Sequence, residues 1–177
     1  MADNRSSSAT GGTMVQVRVI GVARDTEQQH VILLKPVDEP AAEGRMLPVW
    51  IGEQEATAIL VAVQGSITPR PLAHDLMASM LHELEAEVER VEVTRIEDGT
   101  YFAEITLFTP HGLRVIDARP SDAIALASRT HTSIWVADEV LDVAGVEDTV
   151  SEPAADEHEV DEFRRFLEGI DPEDFSD

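Results

Sequence analysis

The chain contains no cysteine. Disulfides, thiolate zinc sites, iron–sulfur clusters and cysteine nucleophiles are excluded with it. Long apolar runs are missing too. The longest, Ala58–Val63, falls far short of the roughly 20 residues that cross a bilayer. Met1–Thr13 is polar and Ser/Thr/Gly-rich and lacks the apolar segment of a signal peptide. The expected setting is therefore soluble and cytoplasmic, with no membrane partner. Cationic side chains are scarce: 13 Lys and Arg stand against 35 Asp and Glu, a formal charge of −22. A general nucleic-acid binder draws its affinity from Lys and Arg meeting phosphates. Any nucleic-acid chemistry here needs a local basic pocket or a bridging metal. The common enzyme signatures are absent as well: no phosphate-cradling glycine loop, no dinucleotide fingerprint, no His-Glu-x-x-His and no Gly-x-Ser-x-Gly. His30, His82, His111, His131 and His158 show no metal-ligand spacing.

The 177 residues suffice for one domain with its own core and short tails. Met1–Thr13 reads as a flexible tail, Met14–Val146 as the domain and Glu147–Asp177 as an acidic tail. That last segment carries half of the net charge. Within it, Val160, Phe163, Phe166, Leu167 and Ile170 predict an amphipathic helix over about Asp156–Gly169, suited to docking on the body, a partner subunit or another protein.

Alternation of apolar and polar residues predicts strands at Met14–Ile20, Val31–Leu34 and Met46–Ile51. Pro48 places the third at a strand end or a sheet edge. Gly52 stops that strand, and a helix follows over Glu53–Gln64. A second helix, about Ala73–Glu87, carries the apolar stripe Leu76, Met77, Met80, Leu81 and Leu84. Strands flank Asp98-Gly99, a strong hairpin signal, and another covers Leu113–Asp117. Ser121 is the expected N-cap of a helix over Asp122–Arg129. A short strand, Ile134–Val136, and a helical stretch, Glu139–Ala144, complete the domain. The fold class is α/β (α+β): a mixed, mostly antiparallel sheet with packed helices, one compact domain and a tail helix. Val49–Leu60 and Val115–Leu126 echo each other as strand, sharp turn and Ala/Ile-rich helix.

Two segments hold candidate chemistry: Pro69-Arg70-Pro71-Leu72-Ala73-His74-Asp75 and Asp117-Ala118-Arg119-Pro120-Ser121-Asp122. Each sets an arginine beside a proline in a rigid loop that opens a helix, with carboxylates nearby. An arginine fork grips phosphate in a bidentate way, and a helix N-terminus adds N–H donors. Arg70 and Arg119 are the expected phosphate holders. Asp75, Asp117 and Asp122 are expected to bind Mg²⁺ or Mn²⁺, or to orient water. His74 is the candidate general acid or base. If the two loops meet, Arg70, Asp75, Asp117, Arg119 and Asp122 converge. The bland alternative is that the acids only cap helices and the arginines only lock loops.

Leu47-Pro-Val-Trp-Ile-Gly-Glu-Gln-Glu-Ala, Pro69-Arg-Pro-Leu-Ala-His-Asp-Leu and Ile116-Asp-Ala-Arg-Pro-Ser-Asp-Ala-Ile-Ala-Leu-Ala resemble, in order and spacing, the three signature blocks of the bifunctional nuclease domain family. The resemblance spans about Met14–Val146. It implies a compact mixed α/β domain that forms homo-oligomers, and a nuclease acting on RNA and DNA. Ala73 departs from the threonine that many members carry there. Trp50, Trp135 and the Met77/Met80 stripe are apolar surface a small sheet leaves uncovered, and the simplest assembly is a two-fold dimer. The expected function is a low-specificity phosphodiester hydrolase assisted by a divalent metal. The alternative is a non-catalytic regulatory or scaffolding module that binds a small anionic ligand or a protein partner. The acidity favours the alternative; the family resemblance favours the nuclease.

Overall fold

The computed structural model describes residues 13–37, 44–66 and 68–147. The expected tail helix, 156–169, and the N-terminal tail up to residue 12 lie outside them. Eight strands form one sheet in the order β6-β5-β4-β7-β1-β2-β3-β8. They are β1 (Met14–Arg24), β2 (His30–Pro36), β3 (Arg45–Ile51), β4 (Glu87–Glu97), β5 (Thr100–Thr109), β6 (Gly112–Ala118), β7 (Ile134–Ala137) and β8 (Val146–Glu147). The helices are α1 (Glu53–Val63), α2 (Ala73–Glu83), α3 (Pro120–Thr130) and α4 (Asp138–Ala144). All strand pairs are antiparallel except β4 with β7.

The strand residues that point inward, among them Val15, Val17, Ile32, Leu34, Val91 and Val93, join Ile59 of α1 and the whole middle of α3 in one core. α3 is buried from Ala123 to Ala127 without a break. A helix enclosed on all sides needs apolar residues all round, and its alanines let neighbours approach closely. The β4–β5 turn follows the Asp98-Gly99 signal. Both residues are left-handed, φ 50° and 77°, which matches the twist of the flanking strands. Pro48 faces Leu33 of β2. β8 pairs only with Arg45 and Met46, so the stretch of β3 that holds Pro48 is an edge, as its missing N–H requires.

The sheet coils. β5 and β3 stand five places apart, about 24 Å in a flat sheet, yet the Tyr101 hydroxyl of β5 donates to the Pro48 carbonyl of β3 at 3.1 Å. This coiling brings the two echoing units together. β3–α1 and β6–α3 are both strand, turn and helix, and they approach from opposite arms of the sheet.

Two helix boundaries differ from expectation. α2 ends at Glu83 because Glu85 turns left-handed (φ 54°) and the Ala86 amide donates back to the Leu81 carbonyl. This closing turn satisfies the last carbonyls. α3 begins earlier than expected, with Arg119 at the N-cap and Pro120 in the first helical position, where a proline's fixed φ and missing N–H cost nothing. Ser121 is therefore inside the helix and buried, not its cap. The α2 stripe faces outward: Leu76, Met77, Met80 and Leu84 are exposed, and Leu81 alone of the five packs on the core.

Candidate functional site

Three helices, α1, α2 and α3, begin with N-caps that carry no capping oxygen: Gly52, Leu72 and Arg119. Each has an acid three residues on: Glu55, Asp75 and Asp122. A carboxylate in the first turn faces unpaired backbone donors and the positive end of the helix dipole. Asp75 accepts the Leu72 amide hydrogen at 2.9 Å. A side chain at position 52 would collide with the Glu55 carboxylate, so glycine there makes room for Glu55 to fold back.

These first turns carry the site. Arg119 donates through Nε to Asp122 Oδ2 at 2.8 Å and through Nη1 to Glu55 Oε1 at 3.0 Å. The other carboxylate oxygen of Asp122 lies 3.3 Å from His74 Nε2. The resulting chain, Glu55–Arg119–Asp122–His74, links α1, α3 and α2. His74 is buried, while the Arg119 side chain is 66% exposed. Partial burial works to raise the Asp122 pKa, but the hydrogen bond and charge of Arg119, with help from His74, outweigh it and hold the carboxyl below its ordinary value. The same bond from Asp122 raises the Arg119 pKa further.

Arg119 stands at the rim of a groove of about 480 Å³. The end of β3 (Val49–Ile51), Gly52 and Glu55, the β4–β5 turn (Gly99–Tyr101) and the start of α3 (Arg119–Ser121) form its walls. Burial raises the Tyr101 pKa, which keeps its phenol neutral. Two of the five guanidinium donors of Arg119 are occupied, so the fork can still present others to an anion.

The expected convergence is met in part. Arg119, Asp122 and His74 come together. Asp75 turns instead to Arg129 of α3, at 2.9 Å, and serves as a clamp between α2 and α3. Arg70 is exposed and makes no ion pair among the described residues. Asp117 is exposed on β6, opposite Glu104 of β5. The cation-binding set Asp75, Asp117 and Asp122 is thus not assembled: arginines hold two of these carboxylates, and the third stands on a separate strand. Among the described residues no three Asp, Glu or His side chains gather in a way that would hold a metal ion. Sequence reading missed Glu55 and Arg129. Glu55 and Asp122 are each the third residue of their helix, but the echo of the two strand–turn–helix units sets Glu55 opposite Ser121, one position off, and so did not point to it.

Coiled sheet, central helix and groove together define a small α/β domain with an exposed, carboxylate-paired arginine at a helix start. A family model of the bifunctional nuclease domain matches residues 32–149. An uncharacterized protein of Mycobacterium tuberculosis is 36% identical over 167 residues, covering 92% of this chain and 98% of its own length. Bifunctional nuclease 1 of Oryza sativa subsp. indica is 27% identical over 116 residues, covering 64% of this chain but only 34% of its own length. The chain belongs to the bifunctional nuclease domain family.

Proposed function

We propose that the chain is a nuclease that hydrolyses phosphodiester bonds of RNA or DNA with low sequence specificity, at the groove beside Arg119. The observation that carries this reading is an exposed arginine fixed by two carboxylates at a helix start, with a buried histidine behind one of them. Arg119 holds a phosphate oxygen and offsets the charge that builds on phosphorus. Asp122 accepts a proton from the attacking water. The water oxygen bonds to phosphorus, the P–O bond to the leaving group breaks, and solvent protonates the leaving oxygen. His74 keeps Asp122 oriented through its other carboxylate oxygen. It is a positioning residue rather than the acid or base itself, because it lies buried behind Asp122.

No step is routed through a cation here. Divalent-metal assistance stays part of the proposal in a different form: Mg²⁺ or Mn²⁺ arriving with the substrate, since Mg²⁺ needs only one or two carboxylates beside phosphate oxygens. Arg70, on the exposed loop before α2, is a secondary phosphate contact. We further propose a two-fold homodimer that covers the outward stripe of α2. Among the described residues no helix is long and apolar enough to cross a membrane.

One observation favours a second reading. Both carboxylates on Arg119 compete with a phosphate for it, as they would in a non-catalytic module that binds a small anion or a protein. Incubating the chain with labelled single-stranded RNA and DNA, with and without Mg²⁺ or Mn²⁺, separates the two. Cleavage that disappears in Arg119→Ala supports the nuclease. Binding that depends on Arg119 without cleavage under any condition supports the module.

A further inference from the structure

Trp50 is the large side chain of the groove that neither the core nor the proposed hydrolysis uses. It sits near the end of β3 and is 51% exposed. Its one polar atom is already engaged: indole Nε1–H donates to Asp25 Oδ2 at 2.9 Å. Asp25 is itself held in the β1–β2 turn, where its other oxygen accepts the amides of Glu27 and Gln29 at 2.8 and 2.9 Å. The ring is therefore pinned at one edge while half of it stays open to solvent. A rigid aromatic with an uncovered face is a preorganised contact, because little side-chain freedom is left to lose on binding. It lines the same groove as Arg119. Gly52 and Gly99 line that groove too and add no side chains to it.

We propose that Trp50 is a base-stacking platform, so that the groove takes an unpaired base on the indole and the adjoining phosphate on Arg119. This rests on the nuclease reading and narrows its substrate class to single-stranded RNA or DNA. Every base has a π-face, so stacking is tolerant of sequence, in keeping with low specificity. A duplex keeps its bases stacked on one another and offers no free face. The charge of the chain gives stacking added weight. At −22 the protein cannot rely on broad attraction to phosphates, so a larger share of affinity falls to an uncharged contact and the salt dependence is shallow. The indole N–H bond from Trp50, with the two amide bonds into Asp25 from its own turn, holds its carboxyl below the ordinary value, so the anchor stays an anionic acceptor through the neutral range.

The test uses the full chain carrying Trp135→Phe, which leaves Trp50 as the fluorophore. Three probes are titrated: a ten-residue oligothymidylate, the same strand with abasic positions, and a duplex of equal length. The expected result is quenching by the single strand, with the abasic strand and the duplex binding about tenfold more weakly or worse. Trp50→Leu then removes the preference, bringing the affinities for thymidylate and abasic strands to within about twofold of each other. Trp50→Phe restores part of it. In cleavage assays Trp50→Leu raises KM for thymidylate far more than it lowers kcat. Equal binding of the abasic strand by the Trp135→Phe protein overturns the proposal. So does a preference that survives in Trp50→Leu, or a fall in kcat as large as the rise in KM. Circular dichroism of each variant identifies a folding defect, and the Trp50→Phe series and the abasic comparison decide the matter without Trp50→Leu. If no strand is cleaved while the preference for bases holds, the nuclease reading fails and the stacking site stands.

Discussion

The two Arg-Pro loops resemble each other in sequence and diverge in structure. In the second, Arg119 is itself the N-cap of α3, so the helix places Asp122 three residues on, where Nε reaches it at 2.8 Å. In the first, Arg70 precedes the N-cap Leu72 by two residues. The helix has not begun at Arg70, and Asp75 caps Leu72 and pairs with Arg129 instead. One loop builds a charged groove wall; the other builds a clamp between two helices. What separates them is the position of the arginine relative to the first helical residue. Residue types and neighbouring prolines do not set the role; register does.

The largest contrast is expected between the two N3 acids. Asp122→Ala lowers kcat for single-stranded RNA by about 100-fold, whereas Asp75→Ala leaves kcat of the folded protein within about threefold. For stability the order reverses. Asp75→Ala strands the largely buried Arg129 and frees the Leu72 amide, and lowers the unfolding free energy by about 2–3 kcal/mol. Urea titrations of both variants check this. Equal losses of stability would mean that the loops are not divided as described.

A smaller effect follows from the depressed Asp122 carboxyl. Because its pKa is lower in the folded state, its contribution to stability is fully present above the ordinary carboxyl value of 3.8 and fades as pH falls through the lowered folded value. The contribution is about 1 kcal/mol or less, since the pair is partly solvated. Thermal melts of the wild type and Asp122→Asn from pH 7 down to 3 should differ by a constant amount until the pH drops below about 4, and then converge. The smallest stability change belongs to the outward face of the helix that the first loop opens. Met80→Glu changes the unfolding free energy by no more than about 0.5 kcal/mol, yet moves the mass in light scattering from the proposed dimer to the 19.4 kDa protomer. A wild type already at that mass would remove the dimer.

Much of the fold was legible because local chemistry decided it. Period-two alternation marked most strands, Asp98-Gly99 its hairpin, and Gly52 the break before α1. The start of α3 was misplaced because Ser121 competes with Arg119 as a cap by side-chain preference. The proline at the first helical position settled it. The site was less legible. Arg119, Asp122 and His74 were named, but Glu55 joins them only because the sheet coils and brings the arms carrying β3 and β6 together. That coiling shows in the bond from Tyr101 to Pro48, and no local pattern encodes it. The Asp75–Arg129 pair is likewise a product of helix packing, and so was hidden in a sequence where each acid looked free to bind a cation.

In the proposed mechanism, register makes Arg119 the principal phosphate-holding arginine and leaves Arg70 a secondary contact. Cleavage of one labelled single-stranded RNA by Arg119→Ala and Arg70→Ala, each checked for folding, tests this most directly. The expected outcome is a loss of about 100-fold for Arg119→Ala and of no more than about tenfold for Arg70→Ala. Equal losses, or an Arg119→Ala protein that cleaves at the wild-type rate, would contradict it.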